Sequence, residues 1–307
     1  MIGAILYSLA GLVGLAIGGE LLVRGAVGIA RRLGVSTLFT GLVIVGFATS
    51  MPEMVASVQA ALAGSPEIAW GNIVGSNLAN TLLILGVSAL VMPIVLTGTG
   101  RRDAVTALGL TLLLWVLALS GLGARWIGFV FLGGMLAYIV WRYRHPGSSP
   151  PESEDEGEQM GLWLSLALLI GGLAVLVGGG NALVSGAIEL ATIFDVPQTV
   201  IGLTVVAIGT SLPELAASIA AALRGKPGLA LGNVVGSNIY NILLIGGATM
   251  SIAPFPLPAD LAGLQMGLLT ASAVVLLALL WRGKRIGRAL GAVLVAAFAG
   301  NVVLVFA

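Results

Sequence analysis

The chain has 307 residues, of which 58% are hydrophobic and only 9% are charged, and its mean hydropathy is +1.08. Apolar runs recur at the length of about 20 residues that a bilayer-spanning helix needs, which excludes a soluble domain and predicts a multi-pass protein surrounded by membrane lipid. The net charge of +1 says nothing about an acidic partner, because in a membrane protein the positions of the charges matter, and no nucleic-acid partner is expected. The absence of cysteine excludes a disulfide framework or a thiolate metal site.

Ten apolar runs predict ten transmembrane helices, so the expected fold class is an all-α polytopic membrane protein. The first run begins at Met1 without basic residues ahead of it or a convincing cleavage site after it, which favours a first span over a signal peptide. The predicted spans, in chain order, are residues 2–23, 37–63, 69–93, 104–120, 124–141, 161–184, 197–223, 228–253, 260–281 and 286–306.

One polar segment separates the fifth span from the sixth. It covers residues 145–160, is rich in Pro, Ser, Glu and Asp, and is predicted to be a disordered acidic linker. With the amino terminus outside, the loops after the odd-numbered spans hold every Lys and Arg except Arg125. This bias predicts that the segment 142–160 is cytoplasmic and that the amino and carboxyl termini lie outside the cell.

The two halves of the chain are related copies. Residues 41–86 align with residues 202–247 without a gap, and 26 of the 46 positions are identical. Equivalent points are separated by five spans, an odd number, so the second copy is predicted to cross the membrane in the opposite direction. The expected organisation is a first five-helix repeat over 1–144, the linker over 145–160 and an inverted five-helix repeat over 161–307.

Each copy carries two polar motifs inside apolar runs. The first motif, Thr-Ser-x-Pro-Glu, ends the segments 46–53 and 207–214. The second motif, Gly-Asn-x-x-Gly-Ser-Asn-x-x-Asn, occupies 71–80 and 232–241. Because a carboxylate is costly in hydrocarbon, the glutamates that end the first motif predict a functional site at membrane depth.

Helical spacing brings the polar atoms of the first motif together. Thr49 and Ser50 precede Glu53 by four and three residues, so two hydroxyls and a carboxylate share one helix face. The proline before each glutamate lacks an amide proton and crowds the preceding turn, which predicts a locally opened helix. Carbonyls freed by this opening, around Gly46 and Ala207, are possible ligands.

The second motif predicts another polar stripe. Asn72, Ser76 and Asn80 follow one another at intervals of four residues on a helix. Gly71 and Gly75 form a small-xxx-small pattern, which predicts a close approach to a neighbouring helix. The second copy repeats both features.

All of these candidate ligands are hard oxygen donors. Oxygen-only sites suit Ca²⁺, Mg²⁺ and alkali cations, whereas Zn²⁺ or Cu⁺ would be expected to use the His or Cys side chains that the spans lack. Mg²⁺ is less favoured because it releases its water shell reluctantly. Two buried carboxylates carry a charge of about −2, which one Ca²⁺, or two or more Na⁺ or protons, would offset, and this competition is the chemical basis of exchange.

The doubled motifs in inverted halves resemble those of the Ca²⁺/cation antiporter superfamily and, within it, the prokaryotic Na⁺/Ca²⁺ exchangers. The resemblance covers nearly the whole chain. It implies a core made of the second, third, seventh and eighth helices, across which the long first helix of each repeat slides. The implied function is secondary active exchange of Ca²⁺ for Na⁺ by alternating access in the plasma (inner) membrane of a prokaryote, with no enzyme activity, no cofactor and a monomer sufficient for transport.

The resemblance also implies which residues bind the transported ions. They are two glutamates with the hydroxyl, amide and carbonyl oxygens around them, namely Glu53, Glu214, Thr49, Ser50, Ser76, Asn80, Thr210, Ser211, Ser237, Asn241, Gly46 and Ala207. Some members of the family carry Asp at the position of Asn241, where both copies of this chain have Asn. The site is left with two carboxylates, which argues against a K⁺-coupled exchanger and against a proton-linked role for that position.

The sequence leaves three alternatives to Na⁺/Ca²⁺ exchange. A Ca²⁺/H⁺ antiporter would use the same site, although that branch typically has a different signature around its acidic residue. A cation channel would need a continuous selectivity filter, usually built by several subunits. An intramembrane enzyme would have the glutamates as a catalytic pair but no histidine within the spans and no cysteine nucleophile.

The sequence also predicts the surroundings of two other acidic residues. Glu20 lies four residues before Arg24 near the cytoplasmic end of the first span and is expected to form an i, i+4 ion pair with it, the alternative being a charged lip at the cytoplasmic entrance. Asp103, beside Arg101 and Arg102, is expected to be an ordinary residue of the cytoplasmic surface.

Overall fold

Helices dominate the computed structural model, which describes residues 1–64, 66–96, 100–145, 160–194, 207–282 and 285–306. The α-helices in chain order are α1 Ile2–Leu33, α2 Thr37–Thr40, α3 Gly46–Thr49, α4 Met51–Leu62, α5 Pro66–Leu78, α6 Leu85–Val91, α7 Arg101–Ser120, α8 Arg125–Arg144, α9 Leu162–Ile193, α10 Ala207–Thr210, α11 Leu212–Leu223, α12 Pro227–Tyr240, α13 Gly247–Ile252, α14 Leu264–Arg282 and α15 Arg288–Phe306. Three π-helical segments lie between them, π1 Gly41–Val45, π2 Ala79–Ile84 and π3 Asn241–Gly246, with one 3₁₀ turn at Ala259–Ala262.

Seven of the helices in the described ranges are long and apolar enough to cross a bilayer, or eight if the bent pair Leu38–Thr49 and Met51–Leu62 is one span. Two further apolar helices, Leu212–Leu223 and Arg288–Leu304, are shorter. The predicted seventh span begins at residues that lie outside the described ranges. The architecture is that of a multi-pass helical membrane protein, and the total of ten spans stays a prediction.

The first helix of each half is much longer than predicted. α1 and α9 each contain 32 residues, about 48 Å at the usual rise per residue, against about 30 Å of hydrocarbon. The helices therefore continue beyond the predicted spans, which end at residues 23 and 184, because hydropathy detects only the apolar part of a helix. α1 continues through Arg24 and ends at Gly34, whose left-handed backbone (φ 63°) lets its amide reach the carbonyl oxygens of the last turn.

Close glycine contacts show that α1 and α9 run antiparallel. A Cβ added to Gly11 would lie 2.4 Å from the amide nitrogen of Leu183, and one added to Gly25 would lie 2.4 Å from that of Leu169. The two helices therefore touch backbone to backbone over most of their length.

Two spans form the centre of the molecule. The most apolar windows of Ile68–Val91 and Pro227–Ile252 are 78% and 89% buried, whereas those of the long helices Ile2–Leu33 and Leu162–Leu183 are 28% and 22% buried. Outer helices pack around this centre, α7 on α14, α8 on α13 and α15 on α6. The second motifs of both copies thus lie at the most enclosed level of the protein.

The first motif interrupts its helix in both copies. Ser50 (φ −81°, ψ 4°) and Ser211 (φ −91°, ψ 5°) each leave the helical conformation, and the next helix starts with proline in its first turn. Across Ser50 the two helical pieces are bent by 45°. The prediction of an opened helix is confirmed.

The fold is not purely α-helical. Two short strands, β1 Ile94–Val95 and β2 Arg285–Ile286, pair antiparallel, with Ile94 opposite Ile286. Pro93 disfavours continuation of the preceding helix and leaves the following residues extended. The expected all-α class is corrected by this ribbon, which joins the loop after the third predicted span to the loop before the last.

Glycines in the second copy let the central helix approach a π-helical segment. A Cβ added to Gly232 would lie 2.4 Å from the carbonyl oxygen of Leu38, and one added to Gly236 would lie 2.6 Å from that of Leu42. The small-xxx-small prediction is confirmed for this copy. For Gly71 and Gly75 it is untested, because the equivalent partner segment lies outside the described residues.

Gly232→Ala should therefore destabilise the protein by about 1–3 kcal/mol, since the new methyl group forces two backbones apart. The thermal midpoint of the detergent-solubilised protein measures the effect. Gly109→Ala is the matched control, because the added Cβ would meet no atom of the described residues within 4 Å apart from its chain neighbours and the adjacent turns of its own helix. Equal midpoints for the two variants would contradict the packing argument.

A buried ion pair occupies the place where Asp103 was expected to be an ordinary surface residue. Arg142 Nε lies 2.7 Å from Asp103 Oδ1, and the two side chains are only 3% and 1% exposed. Tyr138 donates its hydroxyl hydrogen to the same oxygen at 2.8 Å, and Arg142 donates to the carbonyl of His145 at 2.7 Å. The expectation is wrong because Arg142, in the last turn of α8, reaches Asp103 in the first turn of α7, and both side chains are shielded from solvent.

Glu20 forms the predicted pair with Arg24, at 2.8 Å. It also receives two hydrogen bonds from Arg224, one of them from Nε at 2.6 Å. Because Arg224 follows directly after α11, the contact joins the long first helix to the end of a helix in the other half. The predicted pair of Glu20 with Arg24 is confirmed, but the sequence did not predict the contact with Arg224.

Candidate functional site

Glu53 and Glu214 occupy equivalent places in the two copies. Each lies in the first turn of the helix that follows a break, and each is only 2% exposed. Carboxylates buried in this way need either a cation or a set of hydrogen-bond donors.

The serine of each first motif donates a hydrogen bond to the glutamate of the other copy. Ser211 donates a hydrogen bond to Glu53 Oε1 at 3.3 Å, and Ser50 donates one to Glu214 Oε1 at 3.4 Å. Within the described part of the chain, the second oxygen of each carboxylate is buried and has no hydrogen-bond partner. The two breaks therefore face each other, with one oxygen of each glutamate left for another ligand.

Asn72 and Asn233 brace the backbone behind the glutamates. Asn72 Nδ2 donates to the carbonyl oxygen of Glu53 at 3.2 Å and to Ser57 Oγ at 2.9 Å. Asn233 makes the same two contacts in the other copy, to the Glu214 carbonyl at 3.2 Å and to a serine hydroxyl at 2.9 Å. These asparagines hold the two motifs of each copy together.

The threonines of the first motifs have different surroundings. Thr49 is fully buried, and its hydroxyl lies 3.0 Å from the carbonyl oxygen of Val45 and 3.3 Å from Asn233 Oδ1. Thr210 lies on a cavity of about 140 Å³ between the breaks and α9, large enough for a few water molecules. The cavity is lined by Pro52, Val177, Gly180, Asn181, Gly209, Thr210 and Pro213.

The asparagines that end the second motifs lie at π-helical segments. Asn80 is within π2 and Asn241 begins π3. A π-helical turn is wider than an α-helical turn and is frequent at functional sites. Both side chains are 1% exposed, so these polar groups lie in the protein interior.

Hydrogen bonds link the second motifs of the two copies. Asn80 Nδ2 donates to Asn238 Oδ1 at 3.1 Å, and Asn241 Nδ2 donates to Asn77 Oδ1 at 3.0 Å. Neither Asn77 nor Asn238 was among the predicted site residues. The signal was present, because each is the third residue of the Gly-Ser-Asn segment, but helical spacing placed it off the predicted stripe.

Five buried oxygen atoms in these motifs lack a hydrogen-bond partner within the described residues. They are Glu53 Oε2, Glu214 Oε2, Asn80 Oδ1, Asn241 Oδ1 and Ser237 Oγ. Buried polar atoms are nearly always paired, so such a group of oxygens is typical of a site for a hard cation. The described residues contain no cluster of three or more His, Cys, Asp and Glu side chains, which leaves two carboxylates among neutral donors.

Three other predicted site residues need separate comment. Ser76 is 5% exposed and lies one turn before Asn80 on the same helix. The carbonyl of Gly46 is not released by the break, since it accepts the amide of Ser50 at 3.1 Å. The carbonyl that loses a hydrogen bond is that of residue 48, which the amide missing from Pro52 would have reached. Because the Gly46 carbonyl oxygen already accepts one hydrogen bond, only its second lone pair could bind an ion. Ala207 is the first described residue of its segment.

Comparison with known proteins gives consistent results. Residues 3–144 and 164–307 match the family model described as sodium/calcium exchanger protein. The chain is 38% identical to the putative antiporter CaxA of Alkalimonas amylolytica, over 100% of this chain and 99% of that protein. It is 33% identical to the sodium/calcium exchanger MaX1 of Methanosarcina acetivorans, over 98% of both chains.

Solved structures show the same likeness. The fold matches that of the sodium-calcium exchanger NCX_Mj, soaked with 10 mM Na⁺ and no Ca²⁺, with a TM-score of 0.86 and 32% sequence identity over 98% of both chains. The likeness therefore extends over the whole chain and includes the arrangement of its helices.

Proposed function

The chain belongs to the sodium/calcium exchanger family of transmembrane cation antiporters, and we propose that it exchanges Ca²⁺ for Na⁺ at a single site built on Glu53 and Glu214. The observation that carries the proposal is the set of buried oxygens without partners around two carboxylates at the meeting point of the copies. Its relatives are transporters, which accords with a protein that is not an enzyme.

The donor set supports Ca²⁺ as one of the two ions. Ca²⁺ takes six to eight oxygen ligands and accepts carboxylate, amide, hydroxyl and carbonyl oxygens together. Both glutamates approach the site with one oxygen free. The proposed ligands are the residues that the resemblance implied, with Glu53 and Glu214 in direct contact with Ca²⁺ and the hydroxyl, amide and carbonyl oxygens serving Na⁺ or completing the Ca²⁺ shell.

Charge balance supplies the coupling between the two ions. Without a cation, the buried carboxylates leave a charge of about −2, and moving the site between the two sides of the membrane should be unfavourable by several kcal/mol. One Ca²⁺ or a set of Na⁺ ions removes this barrier, so each ion moves only when the other returns. Exchange then needs no direct contact between Ca²⁺ and Na⁺.

The long helices support alternating access. α1 and α9 occupy equivalent places in the two copies and run antiparallel, as an inverted repeat requires. We infer that they move as one unit across the core, since their backbones are in contact over most of their length. On the cytoplasmic side assigned by the basic residues, the bond between Glu20 and Arg224 would break during this movement.

The remaining features follow from the sequence and the family. We propose that the chain lies in the plasma (inner) membrane of a prokaryote, with both termini outside and the 142–160 segment in the cytoplasm. Thirteen of its fourteen basic residues are then cytoplasmic, as the positive-inside rule requires. A single chain contains every proposed ligand, so a monomer would suffice for transport.

The test is ⁴⁵Ca²⁺ uptake by proteoliposomes. Vesicles loaded with Na⁺ and diluted into Na⁺-free buffer should take up Ca²⁺, because the outward Na⁺ gradient drives the exchange. Vesicles with an equivalent pH gradient and no Na⁺ should not. Uptake driven by the pH gradient alone would assign the protein to Ca²⁺/H⁺ exchange, and no uptake in either case would contradict the proposal.

A further inference from the structure

Asn77 and Asn238 make the same kind of contact in the two halves of the protein. Each accepts a hydrogen bond through its side-chain oxygen from the NH₂ group of an asparagine in the other copy, at 3.0 and 3.1 Å. The donors are Asn241 and Asn80, two of the proposed ion ligands. All four side chains are buried, with exposures between 1% and 7%.

An asparagine can bind a cation only through its oxygen. Its side-chain amide carries an oxygen at one end and an NH₂ group at the other, and a half-turn exchanges them. A hydrogen bond accepted from the NH₂ group favours one of the two orientations. In Asn80 and Asn241 the NH₂ group is bound in this way, and within the described residues the oxygen of each is buried without a partner.

We propose that Asn77 and Asn238 are positioning residues that turn the side-chain oxygens of Asn241 and Asn80 toward the transported cation. The proposal rests on the proposed function, because it assigns a role at the same site. Neither positioning residue needs to touch the ion. Each acts on the copy opposite its own, so correct orientation of the ligands requires both halves to be assembled.

The two positions are not equivalent. Asn238 also donates from its own NH₂ group to Thr81 Oγ1 at 2.8 Å, which fixes its orientation. The repeat equivalent of Thr81 is Ile242, which offers no acceptor, and Asn77 Nδ2 has no hydrogen-bond partner in the described part of the chain. The orientation of Asn80 is thus held by two successive hydrogen bonds and that of Asn241 by one.

The main test is a double-mutant cycle on the weaker side, read as the KM for Ca²⁺ in proteoliposomes. Asn77→Leu removes the acceptor and should raise KM about tenfold, the lower end of the usual effect of residues that orient metal ligands. In the Asn241→Asp background the same change should raise KM less than about threefold, because a carboxylate presents an oxygen in either orientation.

A merely structural role predicts a different result. Loss of folded protein lowers the maximum rate and leaves KM unchanged, and it is not rescued by Asn241→Asp. An unchanged KM in Asn77→Leu, or an equal rise in both backgrounds, would overturn the proposal.

Thr81→Val provides a second test with little change in size, in case Asn77→Leu does not fold. It removes the acceptor that fixes Asn238 and should raise KM several-fold, whereas the matched control Ile242→Val, at the equivalent position, should leave KM unchanged. Equal KM values in these two variants would overturn the proposal for the Asn80 side.

Transport by the unmodified protein distinguishes failure of the proposed function from failure of the positioning role. If it shows no Ca²⁺ uptake under a Na⁺ gradient or a pH gradient, the proposed function fails. If it transports Ca²⁺ and the asparagine and threonine variants keep its KM, the function stands and the positioning role fails.

Discussion

Glu53→Gln and Glu214→Gln should each abolish Na⁺-driven Ca²⁺ uptake while leaving a folded protein. Each change removes one of the two charges proposed to bind the cation and keeps the size of the side chain. Removing one partner of a buried charge pair costs about 2–5 kcal/mol, so Ca²⁺ binding should weaken by about 30-fold or more. The measurement is ⁴⁵Ca²⁺ uptake by Na⁺-loaded proteoliposomes at matched protein content.

Glu189→Gln is the control for this prediction. Its side chain is 57% exposed near the end of α9, so loss of its charge should leave uptake close to that of the unmodified protein. Elution of all three variants as single species in detergent would show that the glutamine substitutions preserve the fold. Substantial uptake by either Glu53→Gln or Glu214→Gln would rule out the proposed site.

Arg142→Met should produce the largest loss of stability. It leaves the carboxylate of Asp103 buried without the guanidinium group that pairs with it, while the hydroxyl of Tyr138 still donates to it. Breaking a buried pair from one side typically costs about 3–5 kcal/mol. The expected result is a much lower thermal midpoint in detergent, followed by loss of monodisperse protein on size-exclusion chromatography.

The double variant Asp103→Asn/Arg142→Met identifies the cause. It removes both charges and keeps an oxygen for the Tyr138 hydroxyl, so most of the lost stability should return. Arg144→Met is the control, because this arginine is exposed in the same turn of α8. If the double variant is no more stable than Arg142→Met, the loss comes from packing around the arginine and not from an unpaired charge.

The sequence alone was enough to predict the environment, the internal duplication and the two central glutamates. These depend on composition, on repetition and on residues within one or two helical turns, all of which are local properties of the chain. The helix break before Glu53 belongs to the same class, because the proline that causes it is the adjacent residue. Freed carbonyls were expected around Gly46, and the carbonyl of Gly46 itself still accepts the amide of Ser50, since the amide that Pro52 lacks affects residue 48.

Tertiary structure decided which side chains meet. Several contacts join residues more than 150 positions apart. They are the hydrogen bonds from Ser50 and Ser211 to the glutamate of the opposite copy, the bond from Asn241 to Asn77 and the contact of Glu20 with Arg224. The pair of Asp103 with Arg142 needs two neighbouring spans to bring their ends together. No periodicity reports such contacts, because they depend on how whole helices cross and on what each crossing shields from water and lipid.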